Sequence, residues 1–226
     1  MTRAVSNSVL VVMFVVLAAV SADAAIISYV NDSAGYFAAT GGHTLFLDFE
    51  TDKNGNAVSG TTGSISGDTF SDLVAYSSPS QSSTDVNIAR HSNPSGNPVL
   101  NEIGPLGTWD GILRWDYVGS DYWATSFTGV EVEASTTIHL YDDGSLVDWT
   151  SVGGTYVGGT GSNQFQFFGF VSDAAFDAVE LNGDFYAIDA HGSTSAGVVP
   201  EPTTLAALLG MGGMGLLAAR RRRKAA

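Results

Sequence analysis

Apolar and polar residues alternate along the middle of this chain with the two-residue period of β-strands. Leu45, Leu47 and Phe49 interleave with Phe46, Asp48 and Glu50, and Val130 and Val132 interleave with Glu131 and Glu133. Ile138 and Leu140 continue the pattern after Ser135-Thr136-Thr137. Asp143-Gly144 then separates Tyr141 from Leu146-Val147-Asp148-Trp149, and an Asp-Gly pair between two such runs predicts a tight hairpin. Ile112 with Trp109, Trp115 and Tyr117 marks another strand, and residues 164–171 and 184–190 are the last two strong ones. No stretch sustains a helical stripe; residues 173–179 allow one helical turn. The segment 77–98, rich in Ser, Asn and Pro, predicts a long surface loop. Many short strands, frequent turn residues and no repeat of fixed period predict an all-β, antiparallel sandwich or barrel over residues 25–190, not a solenoid or propeller. A flexible spacer is expected at 191–199.

Two segments break the alternation. Arg3 precedes a compact apolar run from Val9 to Val20, and Ala22-Asp23-Ala24 offers small residues for cleavage. Residues 1–24 therefore read as a secretory signal peptide removed before Ala25. Residues 200–226 hold Pro200-Glu201-Pro202, two threonines, an apolar stretch from Leu205 to Ala219, and the basic cluster Arg220, Arg221, Arg222, Arg223 and Lys224. Fifteen apolar residues make a helix of about 22 Å, a short transmembrane segment whose basic end stays cytoplasmic.

Charge separates these segments further. The chain of 226 residues has a formal net charge of −14. Residues 26–197 hold 21 carboxylates against Lys53, Arg90 and Arg114, whereas five of the nine basic residues lie at 220–224. The body is thus far more acidic than the average implies, and a body so poor in cations does not suit nucleic acid as a partner. There is no cysteine, which excludes disulfides, thiolate metal sites and a cysteine nucleophile.

Catalytic signals are sparse. His43, His91, His139 and His191 are scattered, without the spacing of a local metal motif, and no nucleophile elbow, phosphate loop or dinucleotide fingerprint occurs. The chain reads as a non-enzyme. The alternative is an extracellular glycan hydrolase, which needs two carboxylates about 5–10 Å apart across a cleft; Asp48, Glu50, Glu131 and Glu133 are its candidates. Asp52-Lys53-Asn54-Gly55-Asn56 has the Asp/Asn alternation of a calcium loop but its glycine at the wrong position, so a polar turn is the better reading. Tyr122 and Trp123 lie in a turn-like Gly-Ser-Asp-Tyr-Trp segment and are the candidates for stacking on sugar rings.

Pro-Glu-Pro, a short apolar span and an arginine cluster, in that order, resemble the PEP-CTERM sorting signal. The resemblance implies passage through the export machinery, a transient inner-membrane intermediate and recognition of Pro200, Glu201 and Pro202 by an exosortase. It also implies removal of the tail and delivery to the cell surface or extracellular matrix. The patterns around Leu47-Asp48-Phe49-Glu50 and Ala187-Ile188-Asp189 loosely resemble the opening and closing strands of extracellular carbohydrate-binding jelly rolls. That likeness implies a jelly-roll-like sandwich, neighbouring first and last strands, and a structural Ca²⁺ held by Asp48, Glu50 and Asp189. The expectation is an exported structural or adhesive, or polysaccharide-binding, protein of the cell surface or extracellular matrix.

Overall fold

The computed structural model describes residues 25–58, 63–91, 100–107, 110–154 and 165–195. The expected signal peptide, the Pro-Glu-Pro motif, the apolar helix and the basic cluster lie outside these residues. Among the described residues thirteen strands form two antiparallel sheets stacked as a sandwich. The larger sheet runs in the order β1 (Ile26–Val30), β11 (Phe165–Phe176), β8 (Tyr122–Val130), β13 (Ala187–Ser195), β6 (Leu100–Gly104), β5 (Asp85–His91), β3 (Gly63–Ser66), with β2 (Leu45–Leu47) also paired to β13. The smaller sheet runs β10 (Ser145–Ser151), β9 (Thr137–Asp142), β12 (Ala178–Asp184), β7 (Asp110–Tyr117), β4 (Val74–Ser77).

The alternation read from the sequence explains the core. Leu113 and Trp115 of β7, Ile138 and Leu140 of β9, and Val179 and Leu181 of β12 point inward against Phe127, Phe168, Phe170, Ile103 and Ile188 of the opposite sheet. Burying each such side chain contributes about 1.5–3 kcal/mol. The Asp143-Gly144 turn joins β9 to β10 with both residues at positive φ, 46° and 75°, the conformation that matches the twist of a two-residue hairpin. The predicted neighbouring of early and late strands is present as β2 against β13, with Leu47 opposite His191.

Several expectations are corrected. An eight-residue helix, α1 (Ser33–Thr40), follows β1. Its apolar stripe is too short to show a period, and its ends carry the signal: the Asp32 side chain accepts from the Gly35 amide, and Gly41 closes the helix in the left-handed region. Residues 173–179 form no helical turn, because β11 runs to Phe176 and β12 begins at Ala178. The expected loop at 77–98 contains a 3-10 turn at Pro79–Gln81 and then β5. The first five residues of the expected spacer, 191–195, complete β13, with His191 and Ser193 fully buried. They are strand because β8 on one side and β2 on the other satisfy their backbone groups.

Candidate functional site

The larger sheet has two differently covered halves on its outer face. Over β1 and β11 lies α1. Tyr36 of α1 is buried against Tyr29 and Phe167, with ring centroids 6.0 Å and 5.6 Å away. It rests on Gly169, where a Cβ would come within 2.5 Å of the Tyr36 ring. His43 closes the far side, hydrogen-bonded to Ser126 Oγ at 2.8 Å.

Over β5 and β6 the same face opens into a cavity of about 200 Å³. Asn87 and Ala89 of β5, Glu102 and Gly104 of β6, and Tyr186 and Ala187 at the start of β13 line it. Strand parity builds this lining: Val86, Ile88 and Ile103 face the core, so Asn87, Ala89, Glu102 and Gly104 face the other way. Glu102 is fully buried. Burial pushes its carboxyl up to about 8, aided by the negative charges of Asp189 and Glu131. At neutral pH it is therefore protonated and able to donate. Burial also raises the Tyr186 phenol, with Glu102 and Glu131 adding to the effect.

Asp189 stands beside Glu102 because β6 and β13 meet at the pair Ile103–Ile188, which carries residues 102 and 189 to neighbouring positions. A bulge between Ile188 and Ala190 opposite β8 makes Asp189 the extra residue of its strand. Burial raises its carboxyl to about 7, with Glu50 and Asp48 contributing next. The expected trio of Asp48, Glu50 and Asp189 thus lies within electrostatic reach of one another. Among the described residues no group of three or more His, Cys, Asp or Glu side chains is placed to hold a metal ion. Glu50 Oε1 accepts instead from the Asn101 amide at 2.7 Å, and Asp48 Oδ1 from the Glu50 amide at 3.0 Å. Both flank Phe49, which has a φ of 61°, so the predicted alternation ends at Leu47. Asp52 accepts from the amides of Asn54 and Asn56, the polar turn expected there.

The carboxylates expected on half-exposed strands are placed otherwise. β8 stops at Val130, and Glu131, in the left-handed region at φ 52°, turns back and is buried. Glu102 escaped sequence reasoning because one Glu in a short apolar strand resembles any solvent-facing strand residue. Its only sign is a position opposite in parity to Ile103.

The proposed sugar-stacking pair is corrected. Tyr122 and Trp123 are 5% and 6% exposed. Tyr122 stacks on Tyr117 in the core, with centroids 4.0 Å apart. Trp123 packs with Tyr36, Ala124 and Val171 on the α1 side of the sheet. They are buried because this segment is no turn: it starts β8, which lies between β11 and β13.

A serine–histidine pair exists in the core. Ser193 Oγ lies 2.8 Å from His191 Nε2, and Tyr76 Oη lies 2.6 Å from His191 Nδ1. Burial lowers the His191 imidazole to about 3, His43 adding slightly. With His191, Ser193 and Tyr76 essentially inaccessible, the network satisfies core polar groups and has no access to a substrate.

Comparison with known proteins adds one finding. Residues 198–223 match the PEP-CTERM protein-sorting motif. The chain carries a PEP-CTERM sorting signal. This motif directs export, exosortase processing and a membrane-anchored sorting intermediate, and its match contains Pro200, Glu201, Pro202 and the arginines Arg220 to Arg223. Among the described residues no helix is long and apolar enough to cross a membrane. No curated protein and no solved structure matches the chain.

Proposed function

We propose that the sandwich delivered by the PEP-CTERM signal is a non-catalytic polysaccharide-binding protein of the cell surface or extracellular matrix. Its binding site is the cleft over β5 and β6. The observation that carries this reading is a cavity of about 200 Å³ lined by Asn87, Glu102 and Tyr186. Asn87 offers an amide that both donates and accepts, and Tyr186 an aromatic body with a polar tip, with the buried Glu102 in the cavity wall. A few convergent polar groups in a concave, partly apolar site are the usual composition of a small-ligand pocket.

The same carboxyl pair favours a second reading, glycan hydrolysis. Burial raises both carboxyls, Glu102 to about 8 and Asp189 to about 7, toward the range in which a general acid works. Glu102 lines the cavity and Asp189 does not. A hydrolase needs both carboxyls at the sugar, so binding is the better supported function.

Titration calorimetry of the exported protein with cello-, chito- and xylo-oligosaccharides tests it. Binding of at least one series, lost in Glu102→Ala and without release of reducing ends, supports the binding reading. Reducing ends released by the wild type and not by Asp189→Asn support the hydrolase. Absence of both binding and turnover rejects the cleft as a glycan site.

A further inference from the structure

The outer face of the smaller sheet carries one register row that crosses all five strands. Trp149 of β10 is paired with His139 of β9, His139 with Glu180 of β12, Glu180 with Arg114 of β7, and Arg114 with Ser77 of β4. Their chain neighbours Ile138, Leu140, Val179, Leu181, Leu113 and Trp115 are core residues, so the row faces outward. With adjacent strands 4.7–4.9 Å apart, the distance from Trp149 to Arg114 is about 14 Å.

Most of this row is held rigid. Arg114 Nη1 bonds Glu180 Oε1 at 3.0 Å and Arg114 Nη2 lies 2.7 Å from Asp116 Oδ1. Tyr141 Oη donates to the other Glu180 oxygen at 2.9 Å, and the guanidinium lies 5.1 Å over the Tyr141 ring. Trp149 sits at the sheet edge, 56% exposed, with the His139 ring 6.0 Å away. α1 covers the other sheet. An exposed indole next to a pre-ordered strip of charged and aromatic polar groups offers ring stacking at one end and fixed hydrogen-bonding groups along the rest.

We infer that this outer face is a second glycan-binding surface, on which an extended, uncharged polysaccharide chain lies across the strands with a pyranose face on Trp149 and its hydroxyls on the Arg114–Glu180 pair. The chemistry selects the occupant. Sugar rings present an apolar face to an indole and hydroxyls to paired ions. A body with 21 carboxylates against three basic residues repels an anionic polymer. Lys53 and Arg114 are both engaged in ion pairs. The row crosses all five strands of the sheet, a span that suits a chain better than a small molecule. The inference rests on the polysaccharide-binding reading for its setting, but it uses a face of the opposite sheet. A protein with glycan sites on both sheets links two chains, which gives a physical basis for a structural role in a matrix.

The test is sedimentation of the exported protein with insoluble cellulose and with chitin, using Trp149→Ala, Trp149→Phe and Glu102→Ala. The expected result is retention by at least one polymer, reduced at least tenfold in Trp149→Ala and partly restored in Trp149→Phe. Tm and cleft binding of soluble oligosaccharides should stay unchanged in both Trp149 variants, and Glu102→Ala should lose cleft binding while still sedimenting. Wild-type-like sedimentation of Trp149→Ala, or no sedimentation of the wild type with either polymer, overturns the inference. Loss of oligosaccharide binding in every form, with sedimentation intact, rejects the cleft and leaves this surface standing.

Discussion

Glu102 and Asp189 flank the one residue pair, Ile103 and Ile188, through which β6 is joined to β13. The two carboxyls therefore share a partly dehydrated patch in which each disfavours ionisation of the other or of its neighbours.

This patch sets a direction for stability against pH. Glu102 is raised from 4.5 to about 8 and Asp189 from 3.8 to about 7, so the folded state holds protons that the unfolded chain has released. Their contribution is complete below about pH 4 and is lost as pH climbs through 7 and 8. His191 acts oppositely: lowered from 6.5 to about 3, it weakens the fold as pH falls below 6.5. Above pH 6.5 only the carboxyl effect remains among these three groups. Melting scans should show Tm decreasing from pH 6.5 to 8.5, and Glu102→Gln should flatten that decline and melt higher than the wild type at pH 8.5. Parallel curves for the two proteins count against a dehydrated Glu102.

The His191 network predicts a different kind of loss. Tyr76 Oη is the partner of His191 Nδ1 at 2.6 Å, and both are buried. Tyr76→Phe keeps the ring and leaves that nitrogen without its hydroxyl, which costs about 1–3 kcal/mol. Chemical denaturation should report this loss with an unchanged slope, since the core volume is preserved.

Gly192 anchors the α1 side of the sheet. The His43 ring lies on its backbone, and a Cβ there would be 2.2 Å from the imidazole. Gly192→Ala should displace His43, break its bond to Ser126 and loosen the Tyr36 nest, at a cost of about 1–3 kcal/mol. Faster hydrogen exchange confined to the α1 amides would register it; uniform exchange across both sheets would not fit.

Sorting makes a prediction independent of the body. The PEP-CTERM match covers 198–223, and exosortase processing near Pro-Glu-Pro is expected to remove the basic tail. Mass spectrometry of the surface form should find no Arg220–Lys224 peptide, and Glu201→Ala should leave the intact chain in the membrane fraction.

Some of this architecture was visible in local chemistry. Asp143-Gly144 between two alternating runs specifies its hairpin, because few other residues accept two consecutive positive φ values. Leu113 to Tyr117 and Ile138 to Tyr141 show their buried faces directly through parity. The caps of α1 were equally local, at Asp32 and Gly41, but an eight-residue helix whose main anchor is Tyr36 has no periodicity to read. Trp123 and Trp149 show the limit. Each is a tryptophan near turn-forming residues, yet one begins an interior strand facing α1 and the other sits on the edge strand of the opposite sheet.

The sequence by itself determined the fold class and the delivery route, since strand alternation and a contiguous sorting motif are properties of neighbours along the chain. The tertiary structure alone decided which carboxyls meet and which aromatic is exposed. Glu102 and Asp189 are 87 positions apart in the sequence, and only the order β13-β6 and the register at Ile103–Ile188 put them together. Strand order is a long-range choice driven by burial of the whole core, and no local pattern encodes it.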